Sequence, residues 1–348
     1  MTEGLQSRRE TIRAIVARKQ VPGCGFWLGN PDPQTWPLLH RHFGTQTEEE
    51  LRQRLGDDVR WICPQFYQDA YQDPQGRALF DASLDRKKHG SAGPLAHCTR
   101  SEEIEDFPWP NPDYLHFDAC LRDLCAAADV YRLSGFWCCF YHNVADLFGM
   151  EEYFVKMRTC PALVHAVTER VCSFYYEANE RFFAQAGGLV DGFFFGNDLG
   201  SQAGLVCSPA LLDEFVFPWF RRFAQQGHRH GYQVVLHSCG SVCKLIGRFI
   251  DAGVDCLHPL QALARGMDAA QLAAEFKGRI AFMGGVDAQH LMTNGTPDEV
   301  RAGVRRVHAL LAPHLIVSPS HEAILPNVPM ENVAALAAAA AEIRKESV

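Results

Sequence analysis

No run of this chain approaches the roughly 18 apolar residues that a membrane-spanning helix needs. The longest bland stretch, Ala334 to Ala341, is alanine-rich and reads as helix. The first residues, MTEGLQSRRE, hold no apolar segment of the kind found in a secretory signal. The expectation is a protein with no membrane contact. Positive charge is also in short supply, with 33 Lys and Arg against 41 Asp and Glu and a formal net charge of −8. Nucleic acid is therefore not expected as a partner, because phosphate binding needs a basic surface. There is no G-x-G-x-x-G fingerprint after an early strand, no phosphate-binding P-loop and no repeat of fixed period. Disorder as the main state is excluded by composition, since 23 Phe, 6 Trp and 9 Tyr must be buried somewhere.

Cysteine, in contrast, is plentiful. The count of 13 is odd and the spacing irregular in a chain of 348 residues. That pattern does not fit a secreted disulfide scaffold. It reads as reduced thiols in the cytoplasm, most of them small buried hydrophobes, with one or two free to act as ligands or nucleophiles.

Residues 1 to about 20 read as a helix that stops at Val21-Pro22-Gly23, and QTEEELRQRL (46–55) reads as another. From Gln68 to Asn111 the chain is polar and punctuated by Gly and Pro, which suggests an irregular excursion with a hairpin. After that, short apolar runs alternate with helical patterns, as expected of βα units and a parallel sheet. The strand candidates are Val130–Phe136, Val190–Phe195, Gln233–Leu236, Val254–Leu257, Ile280–Met283 and Leu315–Val317. Each reads as a buried-type run, as suits strands covered on both faces. Thr296-Pro297-Asp298-Glu299 spells a capping box, Ser208-Pro209 and Asp268 mark two further helix starts, and Gly278 marks a stop. With the early stretches near Cys24–Leu28 and Val59–Cys63 the strands approach eight. The expected fold is an α/β (β/α)8 barrel, a single domain over 1–348, with additions and early elements over about 1–110 and the main barrel over about 111–348.

Barrel chemistry sits at the C-terminal ends of the strands. His237-Ser238-Cys239-Gly240 follows one of them. Residues two apart on an extended segment point the same way, so His237 and Cys239 can share a metal ion, and a thiolate with an imidazole suits Zn²⁺. So short a pattern also fits a core histidine and a buried thiol. His321, after another strand, is the natural third ligand. Its neighbour Glu322 points elsewhere if the segment is extended. Cys243 reads as core. Asn197 and Asp198 lie in a Gly-bracketed strand-end loop. Asp198 can act as acid, base or acceptor, or can cap the next segment, and Asn197 is placed with the substrate-binding residues. Trp137, Tyr141 and His142 are candidates to line a pocket, whereas Cys138 and Cys139 read as structural. Asp287 either binds substrate or caps the next turn. Asp198, His237, Asp287 and His321 are expected to face one mouth.

The segments FFFGNDLGSQAGLVCSPALLDEFVFPWF, VVLHSCGSVCKLIGRFIDAGVDCLHPLQ, GGVDAQHLMTNGTPDEVRAGV and VSPSHEAILPNVPMENV resemble the uroporphyrinogen decarboxylase superfamily. The resemblance implies a (β/α)8 barrel with N-terminal additions. True decarboxylases carry an R-Q-A-G-R loop near the N-terminus that grips the substrate's carboxylates. Cys24 to Pro33 contains no arginine. The cobalamin-linked methyltransferases of the superfamily instead carry H-x-C-G, which His237 to Gly240 match. This implies a zinc-dependent methyltransferase working with a corrinoid held on a partner protein. Thiol-methylating members take their third ligand from a Cys in an S/A-P-G-C segment, where this chain has Ser318-Pro319-Ser320-His321. The implied site is then His237, Cys239 and His321. Its acceptor is a thiol, a pterin such as tetrahydrofolate, or the corrinoid itself taking a methyl group from an O- or N-methyl substrate. The rival readings are a decarboxylase acting on a carboxylated substrate, and a non-catalytic corrinoid- or ligand-binding member.

Overall fold

In the computed structural model, which describes residues 7–80 and 92–346, the apolar runs become eight short strands. They are β1 (Gly25–Phe26), β2 (Val59–Trp61), β3 (Tyr131–Ser134), β4 (Gly192–Gly196), β5 (Gln233–His237), β6 (Cys256–His258), β7 (Ala281–Val286) and β8 (Leu315–Pro319). All neighbours pair in parallel, in the order β1-β8-β7-β6-β5-β4-β3-β2. With helices outside, this is the expected (β/α)8 barrel. The seam between β1 and β2 is bridged by Asp58. Its backbone N–H donates to the Phe26 carbonyl at 2.9 Å, and its carboxylate accepts from the Phe26 N–H at 2.8 Å.

Alternate strand residues face inward, and Trp27, Val59, Tyr131, Leu133, Phe194, Val235, Met283 and Ile316 form a buried cluster in the lumen. The helix Arg8–Val16 contributes Ile12 and Ile15 to that cluster and so plugs the N-terminal end of the barrel. Gly25 makes the plug possible, since a Cβ there would lie 2.2 Å from the Ile12 side chain. The other strand faces pack outward on helices in a second, larger core.

The helix signals work locally as expected. Thr296 and Glu299 form a reciprocal capping box on Pro297–Leu311, Ser208 caps Pro209–Phe215, and Asp268 caps Ala269–Phe276. No hairpin forms in the described part of 68–111. A 3₁₀ turn at Ser101–Ile104 and an isolated antiparallel bridge between Tyr71 and Leu115 stand in its place. Residues 81–91 of that stretch lie outside the described residues. Among the described residues, no helix is long and apolar enough to cross a membrane.

Candidate functional site

β5 runs up to His237 and then turns. Cys239 folds back over the strand end, and its Sγ comes to 3.2 Å from His237 Nε2. Two ligands of one tetrahedral zinc, bound at the usual Zn–N and Zn–S lengths, stand about 3.5 Å apart. The turn is held open by two glycines. Gly240 has φ +86°, and a Cβ on it would lie 2.2 Å from the Gly200 backbone, so the β4 and β5 loops touch main chain to main chain. That contact brings in Asp198. Its Oδ1 accepts from the Cys239 N–H at 2.9 Å and lies 3.2 Å from His237 Nε2. Burial alone would raise the Asp198 pKa. The His237 ring, the Cys239 N–H and the more distant His142 outweigh it and hold the carboxyl well below the usual carboxylate range.

The other face of the His237 ring meets residues from two further strands. His237 and His258 pair in register on β5 and β6, so both rings point inward, with Nδ1 to Nδ1 at 3.0 Å. Burial opposes charge on both rings. His237 nevertheless gains protonation from Asp198, Cys239 and Glu322, whereas His258, facing that positive charge, is pushed well below its ordinary value. Trp137 lies against the same imidazole with a ring separation of 5.2 Å, in space that Gly196 leaves free.

Beyond Pro319 the chain bends rather than continuing extended. The alternation that would turn Glu322 away from His321 therefore does not apply. Glu322 Oε2 lies 3.6 Å from His321 Nδ1 and 3.8 Å from His237 Nδ1. The segment is pinned from β1's side, where Asn30 N–H donates to the Glu322 carbonyl and Thr35 Oγ1 to that of Ile324. Three overlapping triads have mutually close ligand atoms, all within 4.8 Å of one another. They are Asp198–His237–Cys239, His237–His258–Glu322 and Cys239–His321–Glu322. Glu322 Oε2 and His258 Nε2 are both buried with no hydrogen-bond partner among the described residues. Buried polar atoms left without a partner are costly, and a cation at the cluster would satisfy the carboxylate. The donor set of one thiol, imidazoles and carboxylates fits zinc.

Other residues take different places. Asp287 is turned away from the cluster. Its carboxylate accepts from the N–H groups of Gln289, His290 and Leu291, which is the capping alternative. Asn197 is buried, with its amide spent on backbone. It donates to the Cys138 carbonyl and accepts from the Tyr141 N–H, tying the β3 and β4 loops together. Tyr141 packs in the outer core beside Tyr153. Asn197 and Tyr141 are thus scaffold, and an amide or phenol at a strand end does not by itself say which way it faces. Cys243 stands apart from the cluster, near Glu275 and Gln271. Sequence reasoning finds His258 after the Val254–Leu257 run but does not count it with the site residues, whereas the lateral register of β5 and β6 places it beside His237.

Among solved structures the chain resembles a methyltransferase from Methanosarcina mazei, with a TM-score of 0.67 and 16% sequence identity. The match covers 97% of this chain and 99% of that one. At that identity the likeness is one of fold. No curated protein sequence matches the chain. The profile of the family uroporphyrinogen decarboxylase (URO-D) matches residues 114–343, and the chain belongs to that family.

Proposed function

We propose that the protein is a zinc-dependent methyltransferase that moves a methyl group to or from a corrinoid carried by a partner protein. The observation that carries this reading is the gathering of His237, Cys239, Asp198, His321 and Glu322 at the C-terminal mouth, with ligand atoms at metal-sharing distances. His237 and Cys239 would hold the ion with His321 as third ligand, and Glu322 is the carboxylate within reach of the same space. When bound, zinc supplies a local positive charge that favours the deprotonated, nucleophilic form of a methyl acceptor. The chain's own residues fix the place where that happens. The Asp198 carboxylate draws the Cys239 loop and the His237 ring together. Trp137 covers one side of that ring and keeps water from it. The corrinoid and its carrier rest on the H-x-C-G resemblance of His237 to Gly240, and the structural likeness to a methyltransferase supports the same reaction class.

The family match favours a second reading, a decarboxylase acting on a carboxylated substrate. Such a substrate needs cations at the mouth. Residues 24–33 have none, and Arg52, which donates to the Gly29 carbonyl, is occupied by Asp57 at 2.6 Å and Glu48 at 2.9 Å. Metal analysis of the purified chain separates the two. About one zinc per chain, lost in Cys239→Ala, is expected, together with spectral change of added methylcobalamin in the presence of an acceptor. A folded wild type that neither carries zinc nor takes it up would overturn the reading.

A further inference from the structure

Beside the cluster, between the segments that follow β7 and β8, lies a cavity of about 330 Å³. Met292, Ile324 and Val328 are among its apolar lining residues, and the polar ones include Gln289, Thr293 and Asn327 besides His321 and Gln261. The last two also join it to the candidate metal ligands. His321 belongs to the Cys239–His321–Glu322 triad, and the Gln261 side-chain oxygen accepts from the Gly240 N–H, next to Cys239. Among the described residues, the lining contains no Asp, Glu, Lys or Arg. With no metal bound, a charged occupant would lose its hydration and find no carboxylate, ammonium or guanidinium in the lining to pair with, which costs more than apolar contact returns. Size sets a second limit. An apolar cavity of ~150 Å³ holds one benzene, so twice that volume holds about 13 non-hydrogen atoms, far fewer than a tetrapyrrole has.

We propose that this cavity binds a small uncharged organic molecule about the size of a substituted benzene. Its apolar body lies on Met292, Ile324 and Val328, and its hydrogen-bonding end turns toward His321 and Gln261. That this molecule is the methyl donor or acceptor rests on the proposed function above, whereas its binding does not. The test measures binding of 2-methoxyphenol and of benzoate, similar in size and different in charge state at pH 7, to the full chain by titration calorimetry in the presence of EDTA, so that no bound ion offers benzoate a partner. Zinc content is determined on the same preparations before EDTA is added. The neutral probe should bind at least about tenfold more tightly than benzoate, because only the anion must shed its charge-stabilising water unpaired. Val328→Trp, which fills the cavity, and Met292→Phe, a milder change, should each weaken the neutral probe by about tenfold or more while leaving the thermal midpoint near that of wild type. Benzoate binding as tightly, or neutral-probe affinity unchanged in whichever of the two variants stays folded, would overturn the proposal. A zinc-free protein that still binds 2-methoxyphenol would sink the metal reading and leave the cavity assignment standing. A zinc-loaded protein that binds no neutral probe would do the reverse.

Discussion

Gly240→Ala is the sharpest single perturbation of the site, because it adds one methyl group at the point where two loops meet. Two costs can be worked from the coordinates. The backbone at this position has φ +86°, where a side chain with a Cβ pays about 1–2 kcal/mol. The new Cβ would also lie 2.2 Å from the carbonyl carbon and oxygen of Gly200. Those are backbone atoms, so the loops must part by about 1 Å, and overpacking of this kind adds about 1–3 kcal/mol. The expected loss is therefore about 2–5 kcal/mol. For a chain of 348 residues, with an unfolding entropy of about 2.1 cal/mol/K per residue, this lowers the thermal midpoint by about 3–7 °C. Function should suffer more than stability. The displaced loops carry Asp198 and Cys239, joined by the 2.9 Å hydrogen bond. Loss of such supporting contacts typically weakens metal binding by about 10–100-fold. Differential scanning fluorimetry and zinc competition with a chromogenic chelator read the two effects. Gly247→Ala is the control, since it sits in the helix Ile246–Asp251 with nothing within 4 Å of the added Cβ, and no loss is expected there. A Gly240→Ala protein with the wild-type midpoint and zinc affinity would refute the argument that backbone contact between the two loops shapes the site.

Three further outcomes are expected. His321→Ala should lower zinc affinity in the same chelator assay, and Glu322→Gln should lower it less. Full retention in the first with loss in the second would hand the third position to the carboxylate that lies 3.6 Å away. His228 Nε2 lies 2.8 Å from an Asp255 carboxylate oxygen, and that hydrogen bond raises the His228 pKa above the ordinary 6.5 against a smaller opposing effect of burial. The stabilisation is then fully present below about pH 6.5 and lost as pH rises through the folded-state value. The pair is 43% and 24% exposed, so solvent screening keeps the effect below about 1 kcal/mol. Urea midpoints should show His228→Gln costing more at pH 6 than at pH 8.5, and an equal cost at both would count against the linkage. Phe194→Ala empties the lumen where Phe194 meets Trp27, Trp61, Trp137 and His258 edge-on. It should cost about 3–5 kcal/mol in urea titration, and a cost under about 1 kcal/mol would mean the lumen collapses around the gap.

The barrel was legible because most of its strands, covered on both faces, appear as apolar runs, with explicit caps such as Thr296 between them. Strand ends were less legible, for reasons that belong to the sheet and not to the local sequence. β7 runs on through Gly284 and Gly285, residues that by propensity end a strand, because they are held in register against Val317 and Ser318 of β8. β6 includes His258, whose polarity hides it from any search for apolar runs. The excursion over 68–111 had no periodicity to read, and its described part combines the short 3₁₀ turn at Ser101–Ile104 with distant contacts such as Tyr71 with Leu115.

The site divides along the same line. His237 and Cys239 are close in sequence at the end of β5, so their nearness was legible, although the turn after His237 and not strand alternation brings their side chains together. Glu322 and His258 reach the cluster from β8 and β6, through a bend and a lateral register that spacing cannot show. The consequence is chemical. If Nε2 of His237 faces Cys239 as a ligand, it must be free of its proton, and the proton must sit on Nδ1. That nitrogen lies 3.0 Å from His258 Nδ1, which must then accept, leaving the His258 proton on the buried Nε2. The tautomer that makes the H-x-C-G histidine a ligand is thus set by a neighbour outside the motif. His258, held neutral by burial, is placed to accept that proton's hydrogen bond.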